Sequence, residues 1–347
     1  MEKNTHSKPK KISLNQIILL IVFVAFIWIF VSRFKEILEI INTLLQGKWL
    51  FICIAVIFIL IYYYSFTLLY YYSFVLVGVK SKVMSLFPLM FASVFANLVP
   101  TGGTGGAALF IHDAALRKES VAKTAIGTLL VQLFDFTSFL FVLGFGIAYL
   151  LTKHDLKTYQ VIASSILILA IGIIITLLMI SLWQIRLIKK LLKFFQKIIN
   201  RISNIIRHKD TLSYDWSEKA GNDFKNAALA IAYNPKLVLK IIGIALLTHV
   251  FELTALYFLF IAFSQEIWLG VLVTGYSMTH LFTTITITPQ GIGMVEGIMT
   301  LIFTSLGIHA EKAAVITLVF RGMNLWLPLF IGFLLLRKLR FFNQKED

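Results

Sequence analysis

The apolar run from Ile267 to Leu306 is interrupted at Thr288-Pro289-Gln290-Gly291-Ile292-Gly293, and no other feature constrains the fold as much. Pro289 lacks an N–H and its ring clashes with the preceding turn, so an incoming helix stops there. Gly291 and Gly293 then allow a sharp turn that leaves backbone N–H groups uncovered. A second helix can start at once, with Glu296 in its first turns. Hydrocarbon cannot satisfy the groups released by a broken helix. Such a break persists only where protein buries it or where it lines a cavity.

The chain uses the device twice. Asn97-Leu98-Val99-Pro100-Thr101-Gly102-Gly103-Thr104-Gly105-Gly106 also interrupts an apolar segment with proline followed by glycines. Paired broken segments point to a transporter's binding site. The plainer alternative is two ordinary loops between short helices.

Composition sets the solvent. Hydrophobic residues make up 59% of the 347, and charged residues only 14%, against about 25% in soluble chains. The single cysteine, Cys53, cannot form an intramolecular disulfide. The expected fold is an all-α polytopic membrane protein of one integral domain, residues 1–347. About six full crossings are expected: Leu14–Val31, Trp49–Val77, Val121–Leu151, Tyr159–Trp183, Leu237–Phe263 and Ala313–Leu336. Two broken or re-entrant hairpins bring the hydrophobic segments to eight. Leu14–Val31 follows a basic N-terminus but lacks a small-x-small cleavage site, so it reads as a retained helix. Ser32–Lys48 reads as a polar, partly amphipathic connector, and the tyrosines of 62–64 and 70–72 as partly interfacial.

Gln184–Lys209 differs from the rest. Ile185, Ile188, Leu192, Phe195, Ile199, Ile202 and Ile206 recur at helical spacing, and Lys189, Lys193, Lys197 and Arg201 mark another face. This is the pattern of an interfacial helix on an anionic membrane surface. Nothing between Lys209 and Pro235 adds a nucleic-acid recognition module, so no nucleic-acid partner is expected. Twenty-five of the 32 lysines and arginines lie in the N-terminus, 78–83, 116–123, 184–240 and the tail, and six in the other loops. This bias puts both termini in the cytoplasm. It also makes 49–151 and 237–336 the same pattern in opposite orientation, an inverted-topology repeat.

Few ionisable residues lie within the spans, where each is costly. They are Asp135, His249, Glu252, His280, Glu296 and Arg321. Glu296 also suits a helix N-terminus electrostatically, and Arg321 also suits a structural ion pair with Glu296 or Asp135. His249, Glu252 and His280 allow a metal site only as one His-x-x-Glu plus a distant His. No Walker sequence is present, and no cofactor is expected. The two half-helix N-termini, with Thr101, Thr104 and Thr288, form a phosphate-sized cradle. Asp135, Glu252 and Glu296 against Arg321 would also accept a cationic group. The candidate substrate-binding set is therefore Asn97, Pro100, Thr101, Gly102, Gly103, Thr104, Asp135, Glu252, Pro289, Gly291, Gly293, Glu296 and Arg321.

Pro289-Gln290-Gly291-Ile292-Gly293-Met294-Val295-Glu296, with Arg321 and Pro328 in 320–328, resembles the lysylphosphatidylglycerol synthase transmembrane (flippase-like) family. Asn97, Pro100 and the glycines after them are similar to that family's earlier motif. The resemblance covers nearly the whole chain. It implies a flippase for an anionic or aminoacylated phospholipid in a bacterial cytoplasmic membrane, without the cytosolic aminoacyl-transferase domain. An accessory subunit of a separate lysyltransferase and an intramembrane lipid-modifying enzyme are the alternatives, and a homo-oligomer stays open. Gln290 replaces a usual glycine. Val131-Gln132 replaces an expected Glu-Arg pair, and Ala107 replaces a common acidic residue.

A peptide of residues 184–209 should bind anionic vesicles. Changing Lys189, Lys193, Lys197 and Arg201 to Gln should weaken that binding by ~1 kcal/mol for each charge that meets the surface. Vesicle titration checks this, and unchanged affinity would refute the surface-helix reading.

Overall fold

The computed structural model describes residues 34–97, 105–153, 158–207, 213–285, 291 and 293–336. The expected first helix, Leu14–Val31, lies outside these residues. So do Pro100 to Thr104, Pro289 and the C-terminal tail. Every regular element among the described residues is helical.

The elements are α1 (Phe34–Leu44), α2 (Trp49–Leu76), α3 (Val83–Ala96), α4 (Gly105–Leu116), α5 (Val121–Thr152), α6 (Thr158–Trp183), α7 (Ile185–Arg207), α8 (Trp216–Tyr233), α9 (Pro235–Ala262), α10 (Leu269–Ile285), α11 (Met294–Ser305), α12 (Ala310–Arg321) and α13 (Leu327–Leu336). Five helical stretches among the described residues are long and apolar enough to cross a membrane. They match the expected crossings from Trp49 onward. The hairpin arms are shorter. α3 has 14 residues, α4 12, α10 17 and α11 12. At 1.5 Å per residue these span about 18–26 Å, less than the ~30 Å hydrocarbon thickness.

The two halves repeat element by element. Adding 186 to Trp49–Leu76 gives Pro235–Ala262, the start and end of α9, and adding 186 to Val83 gives Leu269, the start of α10. Adding 189 to Gly105–Leu116 gives Met294–Ser305, and adding 189 to Val121 gives Ala310. Even the helix stops correspond. α2 ends on Gly78 at φ 74° and α9 on Ser264 at φ 53°, while α4 ends on Lys118 at φ 59° and α11 on Gly307 at φ 91°. Each left-handed residue closes the same pair of bonds. In α2 these are Gly78 N–H to Val75 C=O and Val79 N–H to Phe74 C=O. They satisfy carbonyls that the helix end would otherwise orphan.

α2 and α9 form the central pair. Phe51 stacks on Phe258 and Phe58 meets Phe251. At the ends, Lys48 N–H donates to Ala262 C=O and Lys240 Nζ to the Tyr72 hydroxyl. Early residues of one helix thus meet late residues of the other. Equivalent helices are antiparallel, as an inverted repeat requires. The hairpins exchange partners around this pair: α3 packs on α13 of the other half, and α10 on α5. Both crossings need glycine. A Cβ on Gly332 would lie 2.4 Å from Phe91 O, and one on Gly146 would lie 2.3 Å from Ser277 Oγ. Phe91 and Ser277 are themselves equivalent positions.

Four local expectations change. Ser32–Lys48 contains the helix α1. The last crossing is not continuous: a π-helical turn, Gly322–Trp326, separates α12 from α13. Tyr63 and Tyr70 are buried among core aromatics, and only Tyr64 of the cluster is strongly exposed. The polar stretch before Pro235 forms α8, and α7 packs along it. Ile188 and Gln196 of α7 are buried there, and Lys189 meets Glu218 at 3.3 Å. Phe194, Phe195, Ile198 and Ile199 stay exposed.

A proline follows the π turn. Pro328 supplies no N–H, so the Asn324 carbonyl loses its helical donor. The Tyr63 hydroxyl donates to it at 2.8 Å from the central helix pair. Tyr63→Phe leaves that carbonyl without this donor. It should lower stability by about 1–3 kcal/mol, while Tyr64→Phe changes little. Thermal unfolding in detergent checks both.

Candidate functional site

The second break leads into α11. Gly293 caps it at φ 82°, and Gly291 sits at φ 67°. These are left-handed conformations that cost other residues about 1–2 kcal/mol. A Cβ on Gly291 would also lie 2.2 Å from Val295 Cγ2, whereas Gly293 has open space. Glu296 lies in the first turn of α11, near the positive end of the helix dipole. Its Oε1 accepts from Arg321 Nε at 2.9 Å. Arg321 ends α12, immediately before the π turn. Glu296 thus both caps a helix electrostatically and pairs with Arg321. Its Oε2 is buried without a hydrogen bond among the described residues.

Arg321 opens onto a cavity of ≈ 80 Å³, lined also by Glu252 of α9, by Tyr276, Thr279, His280 and Thr283 of α10, and by Asn324 of the π turn. Val295, Met299 and Phe320 form its apolar walls. Both amide atoms of Asn324 are buried without a hydrogen bond. Buried polar atoms are rarely left this way, so a polar guest fits here.

Behind the cavity runs a hydrogen-bond chain. The Tyr276 hydroxyl oxygen lies 2.7 Å from Glu252 Oε2. His249 Nδ1 lies 2.9 Å from the same hydroxyl. His249 Nε2 lies 3.4 Å from the Asp135 carbonyl and 3.5 Å from Asp135 Oδ1. Phe139 packs against the rings of His249 and His280. Both nitrogens of His249 are therefore spent on this chain. Among the described residues no three His, Cys, Asp or Glu side chains converge as a metal would need, so His249, Glu252 and His280 do not form that cluster.

Glu252, Glu296 and Arg321 thus come together, and Asp135 joins them through His249 and Tyr276. Asn97 does not. Its Oδ1 accepts from the Gly106 N–H at 2.6 Å, closing the foot of the first hairpin. The repeat explains the one-sidedness. Adding 189 carries Ala107 onto Glu296, Gln132 onto Arg321 and Asp135 onto Asn324, and adding 186 carries Phe66 onto Glu252. The first half has the scaffold without the ion pair. Tyr276, Thr279, Thr283 and Asn324 line the cavity without being among the candidates that the sequence singles out. The signal was present: 276, 279, 280 and 283 share one helical face, and Asn324 lies one turn from Arg321.

Comparison with known proteins shows the family. The profile of the lysylphosphatidylglycerol synthase TM region matches residues 16–332. A UPF0104 membrane protein of Methanothermobacter thermautotrophicus is 22% identical over 302 residues, covering 83% of this chain and 85% of the relative. A UPF0104 membrane protein of Methanocaldococcus jannaschii is 24% identical over 261 residues, covering 74% and 75%. This multi-pass membrane protein belongs to the lysylphosphatidylglycerol synthase transmembrane family.

Proposed function

We propose that this protein moves an anionic or aminoacylated phospholipid across the membrane, with the headgroup received in the cavity between α9, α10, α11 and α12. The observation that carries the reading is the Glu296–Arg321 pair at the second break, facing Glu252 across one cavity. Arg321 offers a cation to a phosphate. Glu252 and the unbonded oxygen of Glu296 offer acceptors to an amine. A headgroup with both groups matches both sides, and the family's name points to the same lipid class. The cavity is small, on the order of two or three waters at ~30 Å³ each, so the site must widen to admit a headgroup. The α10–α11 hairpin, turning on Gly291 and Gly293, is the element suited to move, and the inverted repeat supplies the alternate arrangement. On this reading both termini are cytoplasmic, in the cytoplasmic membrane of a bacterium. The exposed apolar stripe of α7 then lies on the inner lipid surface beside its lysines.

Purified protein in liposomes should move fluorescent phosphatidylglycerol or its lysyl ester between leaflets. Glu296→Gln and Arg321→Ala should each reduce this to background. Breaking this part-buried pair also costs stability, by less than the about 3–5 kcal/mol of a fully buried one, so the neutral double variant Glu296→Gln/Arg321→Gln should regain thermal stability but not transport. Full transport by the stable double variant would refute the headgroup site.

The turn gives a separate prediction. Gly291→Val should slow transport about tenfold, from 1–2 kcal/mol of backbone strain plus the Val295 clash. Gly144→Val, with nothing within 4 Å, should leave it nearly unchanged. The same liposome assay decides between them.

A further inference from the structure

The chain behind the cavity is one hydrogen short. Glu252, Tyr276, His249 and Asp135 make three contacts: Glu252 with Tyr276 at 2.7 Å, Tyr276 with His249 Nδ1 at 2.9 Å, and His249 Nε2 with the Asp135 backbone carbonyl at 3.4 Å. With both carboxylates ionised and the imidazole neutral, the set holds two exchangeable hydrogens, one on Tyr276 and one on His249. Three contacts need three.

The repeat supplies an argument for which contact each hydrogen serves. Tyr63 is equivalent to His249, and Asn324 to Asp135. Tyr63 donates to the Asn324 carbonyl, so Nε2 of His249 takes the donor's place toward Asp135. Nδ1 is then bare and draws the Tyr276 hydrogen. Two oxygens, of Tyr276 and Glu252, are left facing each other at 2.7 Å. A proton on Glu252 resolves this. At the other end, Asp135 Oδ1 is buried and hydrogen-bonds nothing among the described residues. It is a vacant acceptor for the same proton.

We propose that Glu252, Tyr276, His249 and Asp135 form a binding site for one proton, which passes between the cavity and Asp135 and couples headgroup binding to proton movement. In the transfer, the Glu252 carboxyl gives its proton to the Tyr276 oxygen. Tyr276 gives its own hydrogen to His249 Nδ1, and His249 Nε2 gives its hydrogen to Asp135 Oδ1. Glu252 ends as carboxylate and Asp135 as carboxylic acid. His249 ends as the other neutral tautomer, and the charge of the set is unchanged. An amine arriving beside Glu252 stabilises the ionised form there and drives the proton inward. The ionisable groups around the set are Tyr62, Tyr63 and Tyr70 from α2, His280 from α10, Arg321 from α12 and Glu296 from α11. Arg321 and Glu296 compensate each other, and no second carboxylate from α2 or α10 competes for the proton.

The coupling rests on the lipid-translocation reading, whereas proton binding does not, and two measurements separate them. Infrared difference spectra of the full protein in nanodiscs, between acidic and alkaline pH, should show a buried carboxylic acid signal that titrates. Glu252→Gln and Asp135→Asn should each remove it, because a side-chain amide supplies the missing hydrogen and completes the three contacts. Loss of the signal with unchanged thermal stability supports the site. Its absence in the parent protein, or its persistence in both variants, overturns it. In proteoliposomes with the membrane potential clamped, one proton per lipid shifts the steady-state ratio of labelled lysyl-phosphatidylglycerol between leaflets about tenfold per pH unit of gradient. Tyr276→Phe should abolish that dependence. A ratio indifferent to the gradient overturns the coupling. Lipid that never moves under any gradient overturns the translocation reading and the coupling with it, and leaves the proton site to the infrared result.

Discussion

Every backbone polar group inside hydrocarbon has to find a partner within the protein, and the structure is arranged around meeting that demand where helices break. The Asn324 carbonyl, stripped of its donor by Pro328, reaches across to the Tyr63 hydroxyl. That bond ties the π turn of one half to the central helix of the other. The Asn97 side chain answers the Gly106 N–H at the first hairpin. Left-handed residues close the ends of α2, α4, α9 and α11. Each repair holds a specific element in place, and together they place the end of α12 where Arg321 meets Glu296.

Duplication then creates a choice that the two halves make differently. The same contact geometry appears as Tyr63 on Asn324 and as His249 on Asp135. One version is inert and structural, and the other carries ionisable groups at every link. Phe66, Ala107 and Gln132 of the first half stand where the second half has Glu252, Glu296 and Arg321. An internal repeat needs both copies for packing, because α3 leans on α13 and α10 on α5. Only one copy has to carry charge into the membrane, where each buried ion is costly.

Much of this was legible in the sequence. Long apolar runs, and Pro289 followed by Gly291 and Gly293, give the crossings from Trp49 onward and the breaks, because hydrocarbon permits so few backbone arrangements. The rare ionisable residues named the site's charged members. Tyr276, Asn324 and Thr279 do not stand out, because a tyrosine, an amide or a hydroxyl in an apolar helix is not costly enough to do so. Tyr63 and Tyr70 read as interfacial because a tyrosine looks the same at a headgroup layer as in a core.

By itself, then, the sequence determined the solvent, the placing of the apolar helices from Trp49 onward, the two breaks and the shortlist of inward charges. All of these follow from local composition and from the cost of an unpaired group in hydrocarbon. Only the tertiary structure decided which charge met which. Glu296 and Arg321 are 25 residues apart in sequence, and Asp135 and His249 are 114 apart. No periodicity along one helix encodes such pairings. They depend on α2 and α9 lying antiparallel and on each hairpin packing against the other half's last helix. The same packing brought the first half's Asp135 into a chain with the second half's Glu252.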